Sequence, residues 1–197
     1  MFIQIIQGHC SRQEELHTLL DRWREERGPN VDGWLGGTYG VTDDGMFVGV
    51  VRFEDRDKAM ANSDSPEQSE WAERLTALFD GPVEYHDCDD VTLLMDGGSD
   101  SAGFVQVIRG KVDDPTRLKA MMTDTTQLHE MRPEILGGTL AVEPDGTFTE
   151  TVFFTDEDSA RKGEQVAPPA QVQEELAYAM RDAMFYDLHR PWFQSAG

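Results

Sequence analysis

The residues that offer chemistry in this sequence are two glutamines, one glutamate and a small set of histidines, cysteines and tyrosines. Gln4 and Gln106 hold equivalent places in two similar segments, FIQIIQG at 2–8 and FVQVIRG at 104–110. Each is flanked two residues away by apolar side chains, Phe2 and Ile6 or Phe104 and Ile108. Side chains two apart share one face of a strand, so each amide stands in an apolar wall. There it either orients a ligand or is satisfied by a neighbouring strand or water. Glu150 alternates in the same way with Phe148, Val152 and Phe154. Desolvation on such a face raises a carboxyl's pKa and suits it to act as a base where the face lines a cavity. Where the face turns outward, Glu150 is a solvated surface residue. The matching residue of the first segment is Gly49, so at most one such site is expected.

His9-Cys10 and the pair His86 and Cys88 contain the ligand types of a zinc site. Their spacing is not a recognised ligand pattern, and adjacent residues on a strand point to opposite faces. The expectation is no metal, with Cys10 and Cys88 as unlinked neighbouring thiols. Tyr39, Tyr85 and Tyr186 offer phenol donors to a bound oxygen atom, or half-buried packing with a wet hydroxyl. Met121, Met122, Met131, Met180 and Met184 recur at helical spacing and read as core, of a kind that suits an adaptable pocket. His17 and His129 are placed on the surface.

The elements that must position these residues are written twice. Gly36-Gly37-Thr38 with Asp44-Gly45 reappears 101 residues later as Gly137-Gly138-Thr139 with Asp145-Gly146. Each copy reads as a β-hairpin, Trp34 to Val41 with Met46 to Phe53 in the first. Before it lie a strand at Phe2 to Gln7 and a helix with Leu16, Leu19, Leu20 and Trp23 on one face, its start marked by a capping box at Ser11 and Glu14. That helix stops at Gly28-Pro29. After the hairpin, Ser65-Pro66 followed by Gln68 opens a helix burying Trp71, Leu75, Leu78 and Phe79. One last extended stretch runs from Tyr85 through Val91 to Met95. The second copy begins at Phe104, with Asp114-Pro115 starting a helix that carries Leu118, Met121, Met122 and Thr125. Pro168-Pro169 precedes a helix carrying Val172, Leu176, Met180 and Met184, and the chain ends in a stretch from Phe185-Tyr186 to Pro191-Trp192-Phe193. The order β-α-β-β-α-β is the split unit of a ferredoxin-like fold. The expected division is one unit at 1–96, a Gly/Ser/Asp linker at 97–102 and a second unit at 103–197.

The formal net charge is −21 over 197 residues. Such a field repels phosphate and argues against nucleic acid or an anionic membrane as partner. Acidic residues are spread along the chain and read as a solvated surface. No apolar run approaches the length of a membrane span, no leader opens the chain, and two cysteines suit a reducing compartment. A cytoplasmic protein is expected.

With these residues in view, the chain resembles the antibiotic-biosynthesis-monooxygenase-like group of the dimeric α/β-barrel superfamily, in tandem form. The resemblance rests on FIQIIQG and FVQVIRG, on the two GGT hairpins, and on the strand-to-helix segments Phe53-Glu54-Asp55 to Ala59 and Phe154-Thr155-Asp156 to Ala160. It implies an α+β fold in which two antiparallel sheets pack into a barrel, supplied by a pseudo-dimeric monomer or by a homodimer of tandem chains. The activity it implies is cofactor-independent oxygenation of a small apolar or aromatic compound, of phenol or quinone type. Glu150 or His86 would then be the base, and Gln4, Gln106, Tyr39 and Tyr85 the ligand-binding groups. No cofactor is expected. Haem-degrading members use an Asn in the first strand with a Trp and a His in a later helix, where this chain has Gln4 or Gln7, Ala61-Asn62 and Trp71. The alternative is a non-catalytic ligand-binding or stress-associated protein whose interior is packed with side chains.

Overall fold

A computed structural model describes residues 1–123, 126–168 and 170–196 of the chain. Thr125 and Pro169, which the sequence reading places in helical signals, lie outside the described residues. The chain divides into two units, Met1–Asp89 with Trp192–Gly197, and Asp90–Pro191.

The first unit contains β1 (Phe2–His9), α1 (Gln13–Glu26), β2 (Trp34–Val41), β3 (Met46–Phe53), α2 (Arg56–Ser63), α3 (Pro66–Thr76) and β4 (Glu84–Cys88). The second contains β5 (Asp90–Leu94), β6 (Phe104–Lys111), α4 (Thr116–Thr123), α5 (Thr126–Met131), β7 (Ile135–Val142), β8 (Thr147–Phe154), α6 (Glu157–Gly163), α7 (Ala170–Ala179) and β9 (Met184–Leu188). The final strand, β10 (Trp192–Ser195), belongs to the first. Each unit has a five-stranded antiparallel sheet, in the orders β10-β2-β3-β1-β4 and β5-β7-β8-β6-β9. The fold is α+β and ferredoxin-like in both, and both hairpins form with the strands expected.

The stretch expected as one strand from Tyr85 to Met95 is two. β4 closes the edge of the first sheet beside β1, whereas β5 pairs with β7 in the second. The chain's end divides likewise: β9 pairs with β6, and β10 returns to β2 of the first sheet. The fifth strand of each sheet therefore comes from outside its own β-α-β-β-α-β run. The division falls at Asp89/Asp90 rather than within 97–102, because the residues just before that segment are hydrogen-bonded into the second sheet.

This arrangement explains the GGT motifs. In each hairpin the register shifts once, between Trp34 and Gly36 and between Ile135 and Gly137, and at the shift Gly36 has φ +138° and Gly137 φ +150°. Glycine reaches such angles without steric cost. The fifth strand of the first sheet, and the turn that follows the fifth strand of the second, also come close. A β-carbon at Gly36 would lie 2.4 Å from the Gln194 carbonyl oxygen, and one at Gly137 would collide with that of Gly97.

Two local expectations are corrected. Ser11 does not cap α1: Arg12 is its N-cap residue and makes no side-chain capping bond. Ser11 instead binds Asp80, its N–H donating to Oδ2 at 2.7 Å and its hydroxyl to Oδ1 at 2.9 Å, because the carboxylate offers both donors a charged acceptor. Met184 is not in the last helix but starts β9, where it is exposed. Ser65 does cap α3, accepting from the Gln68 N–H at 3.2 Å.

Candidate functional site

On β8 the side chains of Phe148, Glu150, Val152 and Phe154 share one face. Phe148, Val152 and Phe154 pack with Phe104, Ile108, Leu118 and Met122 in the core of the second unit. Between this face and the helices is a cavity of about 900 Å³, within the range that holds small organic ligands. Its apolar wall includes Ile108, Met121, Met122, Val152 and Met180, and its polar lining includes Gln106 and Glu150. The methionines expected as adaptable core thus furnish much of the wall.

Glu150 is paired in register with Ile108 on one side and Leu140 on the other, so its neighbours within the sheet are apolar. It has no hydrogen bond or ion pair with the described residues. Removal from water is the cause that raises its carboxyl to about 7, since a charge without a partner is disfavoured in an apolar setting. Its remaining accessible surface faces the cavity it lines.

Gln106 is opposite Val152 in the ladder, one diagonal step from Glu150, which places the two β-carbons about 7 Å apart on one face. Its Nε2 donates to Asp187 Oδ1 at 2.9 Å. Asp187 is also bound by the Arg161 guanidinium through its other oxygen. Neither Asp187 nor Arg161 is evident as a site residue from the sequence. A usable signal exists, because Asp87 holds the same relation to Gln4, whose Nε2 donates to Asp87 Oδ1 at 2.9 Å.

The other expected site residues, Gln4, Tyr39, Tyr85 and His86, lie in the first unit and do not line this cavity, and Tyr186 of the second unit does not line it either. Gln4 is tied to Asp87. Tyr39 is buried, with burial raising its phenol's pKa above the ordinary value. Its ring stacks with Phe47 and with Trp192 at 6.2 Å between centroids in each case. Tyr85 is exposed on the edge strand β4. His86 is opposite Ile5 on the same strand, with its Nε2 3.6 Å from Glu84 Oε2.

Over Gly49 in the first unit aromatic rings fill the space, and a β-carbon there would lie 3.1 Å from both Phe47 and Tyr39. Tyr39 and Trp192 are register partners there, and in the second unit the corresponding pair is Leu140 and Thr92. Two rings are thus replaced by an isobutyl group and a hydroxyl side chain. The cavity of the second unit is lined by Glu150, the residue that stands where the first unit has Gly49.

Cys10 and Cys88, expected as unlinked neighbouring thiols, are not neighbours. Cys88 is opposite Ile3, whereas Cys10 follows the far end of β1. Seven residues of extended chain separate the two levels, about 23 Å. Both cysteines are buried and neither is in a disulfide, and the Cys10 thiol donates to the Leu78 carbonyl at 3.4 Å. Among the described residues there is no group of three or more His, Cys, Asp or Glu able to hold a metal ion. No described helix is long and apolar enough to cross a membrane.

The fold is that of the antibiotic-biosynthesis-monooxygenase-like proteins. Solved structures similar to this chain include a candidate monooxygenase from Lactobacillus acidophilus, with 12% identity, 100% of this chain and 97% of that one covered and a TM-score of 0.73. A candidate monooxygenase from Fusobacterium nucleatum has 8% identity, coverage of 100% and 94%, and a TM-score of 0.76. An anthrone oxidase-like protein has 8% identity, coverage of 100% and 93%, and a TM-score of 0.70. At these identities the likeness concerns the fold. No family model matches the sequence, and no curated protein matches it significantly.

Proposed function

We propose that the second unit is the working half of a monooxygenase that acts on a small aromatic compound without a bound cofactor, with Glu150 as its base. The observation that carries this reading is a half-buried carboxyl with no partner among the described residues, raised to about 7, on the apolar wall of a cavity of about 900 Å³. A base is most effective when its pKa lies near the working pH. The likeness of fold to anthrone oxidase-like and monooxygenase structures supports this choice of reaction class.

For an anthrone-type substrate, the Glu150 carboxylate takes one proton from the acidic ring methylene and leaves a delocalised carbanion. That carbanion reduces dioxygen and bonds to it, and a proton returned by Glu150 gives a carbon-bound hydroperoxide. Loss of the second methylene hydrogen as a proton, with cleavage of the O–O bond, forms the carbonyl and releases water. One dioxygen is consumed, with one atom in the ketone and one in water, and the substrate is the only reductant. The apolar wall favours the flat ring and keeps water from the carbanion. The packed-interior alternative fits the first unit, where Tyr39, Phe47 and Trp192 fill the space.

The reading is tested by oxygen uptake with 1,8-dihydroxyanthrone. Wild type should consume one dioxygen per substrate well above the uncatalysed rate, and Glu150→Gln should fall by about 10²- to 10⁴-fold, the contribution of a positioned base. A wild type no faster than buffer, or an unimpaired Glu150→Gln, contradicts it.

A further inference from the structure

Resting on the reading of this cavity as a ligand site, we infer that Asp187 and Arg161 fix the direction of the Gln106 amide so that the cavity selects ligands that donate a hydrogen bond, phenols rather than quinones or ethers. An amide side chain has a donor end and an acceptor end, and its surroundings decide which faces a ligand. Here the decision is made from behind. The carboxylate of Asp187 only accepts, and it takes a bond from Gln106 Nε2 at 2.9 Å through Oδ1 while Arg161 holds Oδ2. Turning the amide over would bring its oxygen against that carboxylate, replacing a charge-assisted bond with repulsion.

Arg161 is itself held, with Glu164 Oε1 at 2.9 Å and Glu157 Oε1 at 3.2 Å from its guanidinium nitrogens and the Phe104 ring 5.1 Å from its carbon centre. The carboxylate is thereby kept from swinging away. With one Nε2 hydrogen committed to Asp187 and the NH2 end held toward it, Oε1 is the acceptor of Gln106 left to meet a ligand. A phenolic O–H finds an acceptor there. A quinone carbonyl or aryl ether meets lone pair against lone pair, a mismatch that a polar site rejects more strongly than a change of size. In the proposed reaction the hydroxylated substrate is retained through its O–H. Asp187 and Arg161 are positioning residues, acting through Gln106.

The test measures binding of 2-naphthol, 2-methoxynaphthalene and naphthalene to the full chain by calorimetry. Wild type should bind the naphthol at least tenfold more tightly than the ether. Asp187→Asn can accept from or donate to the amide, so it should reduce that ratio to about one while naphthalene affinity stays within twofold. Structural damage would instead weaken all three ligands together. Gln106→Leu should abolish the preference without Asp187 being touched, and adding Asp187→Asn to it should change the ratio no further, as expected for two residues acting as one unit. An unchanged preference in folded Asp187→Asn, or equal binding of naphthol and ether by wild type, overturns the inference and leaves the cavity reading standing. Failure of wild type to bind any of the three overturns the cavity reading, and the inference with it.

Discussion

The ring of Tyr39 lies across its strand neighbour Gly49, so near that a β-carbon on the glycine would be 3.1 Å from it. The equivalent pair in the second unit is Leu140 and Glu150. One duplicated hairpin has thus been resolved in two ways, as a ring over a glycine in a filled core and as a carboxyl beside a cavity.

Replacing Tyr39 by Leu should be costly despite the restored likeness to the second unit. The change removes a ring packed between Phe47 and Trp192 and leaves a cavity, for a loss of about 2–4 kcal/mol. Urea unfolding measures it. A loss below about 1 kcal/mol would mean that the ring is not a packing element.

The reaction should need Glu150 without its proton. With the carboxyl raised to about 7, the rate of oxygen uptake should rise through a midpoint near that pH and level off above it. The residual rate of Glu150→Gln should lack this step. A wild-type profile flat from pH 5 to 9 would assign the proton transfer to another group.

Stability should show the opposite trend. The folded pKa of Glu150 lies above the ordinary carboxyl value of 4.5, so between these values the folded chain holds a proton that the unfolded chain has lost. Stability from this group is therefore full below about 4.5, falls as pH rises, and is lost above 7. Full desolvation would make the change about 3 kcal/mol, and the partial exposure of Glu150 reduces it to about 2 kcal/mol. Glu150→Gln should be nearly neutral at pH 4.5 and stabilising by that amount at pH 8.5. Parallel pH–stability curves for the two proteins would contradict the burial of this carboxyl.

The bulge glycines should resist substitution because of the strands beside them. Gly36→Ala and Gly137→Ala each combine a positive φ with a collision against backbone, and backbone strain together with displacement of a strand should cost more than about 3 kcal/mol each. Gly45→Ala provides the control: its φ is +86° but its β-carbon meets nothing within 4 Å, so about 1–2 kcal/mol is expected. Equal losses at positions 36 and 45 would show that φ alone sets the cost and that the fifth strand is not pressed against the hairpin.

Local and repeating signals made much of the fold legible in sequence. The alternation in Trp34–Val41 and Met46–Phe53 marks one hairpin, and the 101-residue echo marks the other. Which sheet Asp90–Leu94 and Trp192–Ser195 join was not legible, because both are short and follow their neighbours after one to three residues. Their partners are chosen by long-range pairing with β7 and β2. At the cavity, Gln106 and Glu150 were visible as polar residues in apolar faces. Asp187 and Arg161 were not, since acidic and basic residues far apart in an acidic chain look like surface until the β6–β9 register and α6 bring them together. Tyr39 showed the converse difficulty: its type suggested a ligand contact, and only its ring partners reveal it as filling.

The most direct test is the titration of the Glu150 carboxyl itself, followed by carbon-13 NMR of protein labelled at glutamate, with Glu150→Gln identifying the resonance. A midpoint near 7 is expected in the free protein, with a clear displacement when 2-naphthol fills the cavity. A midpoint in the ordinary range near 4.5, unmoved by the ligand, would contradict this expectation.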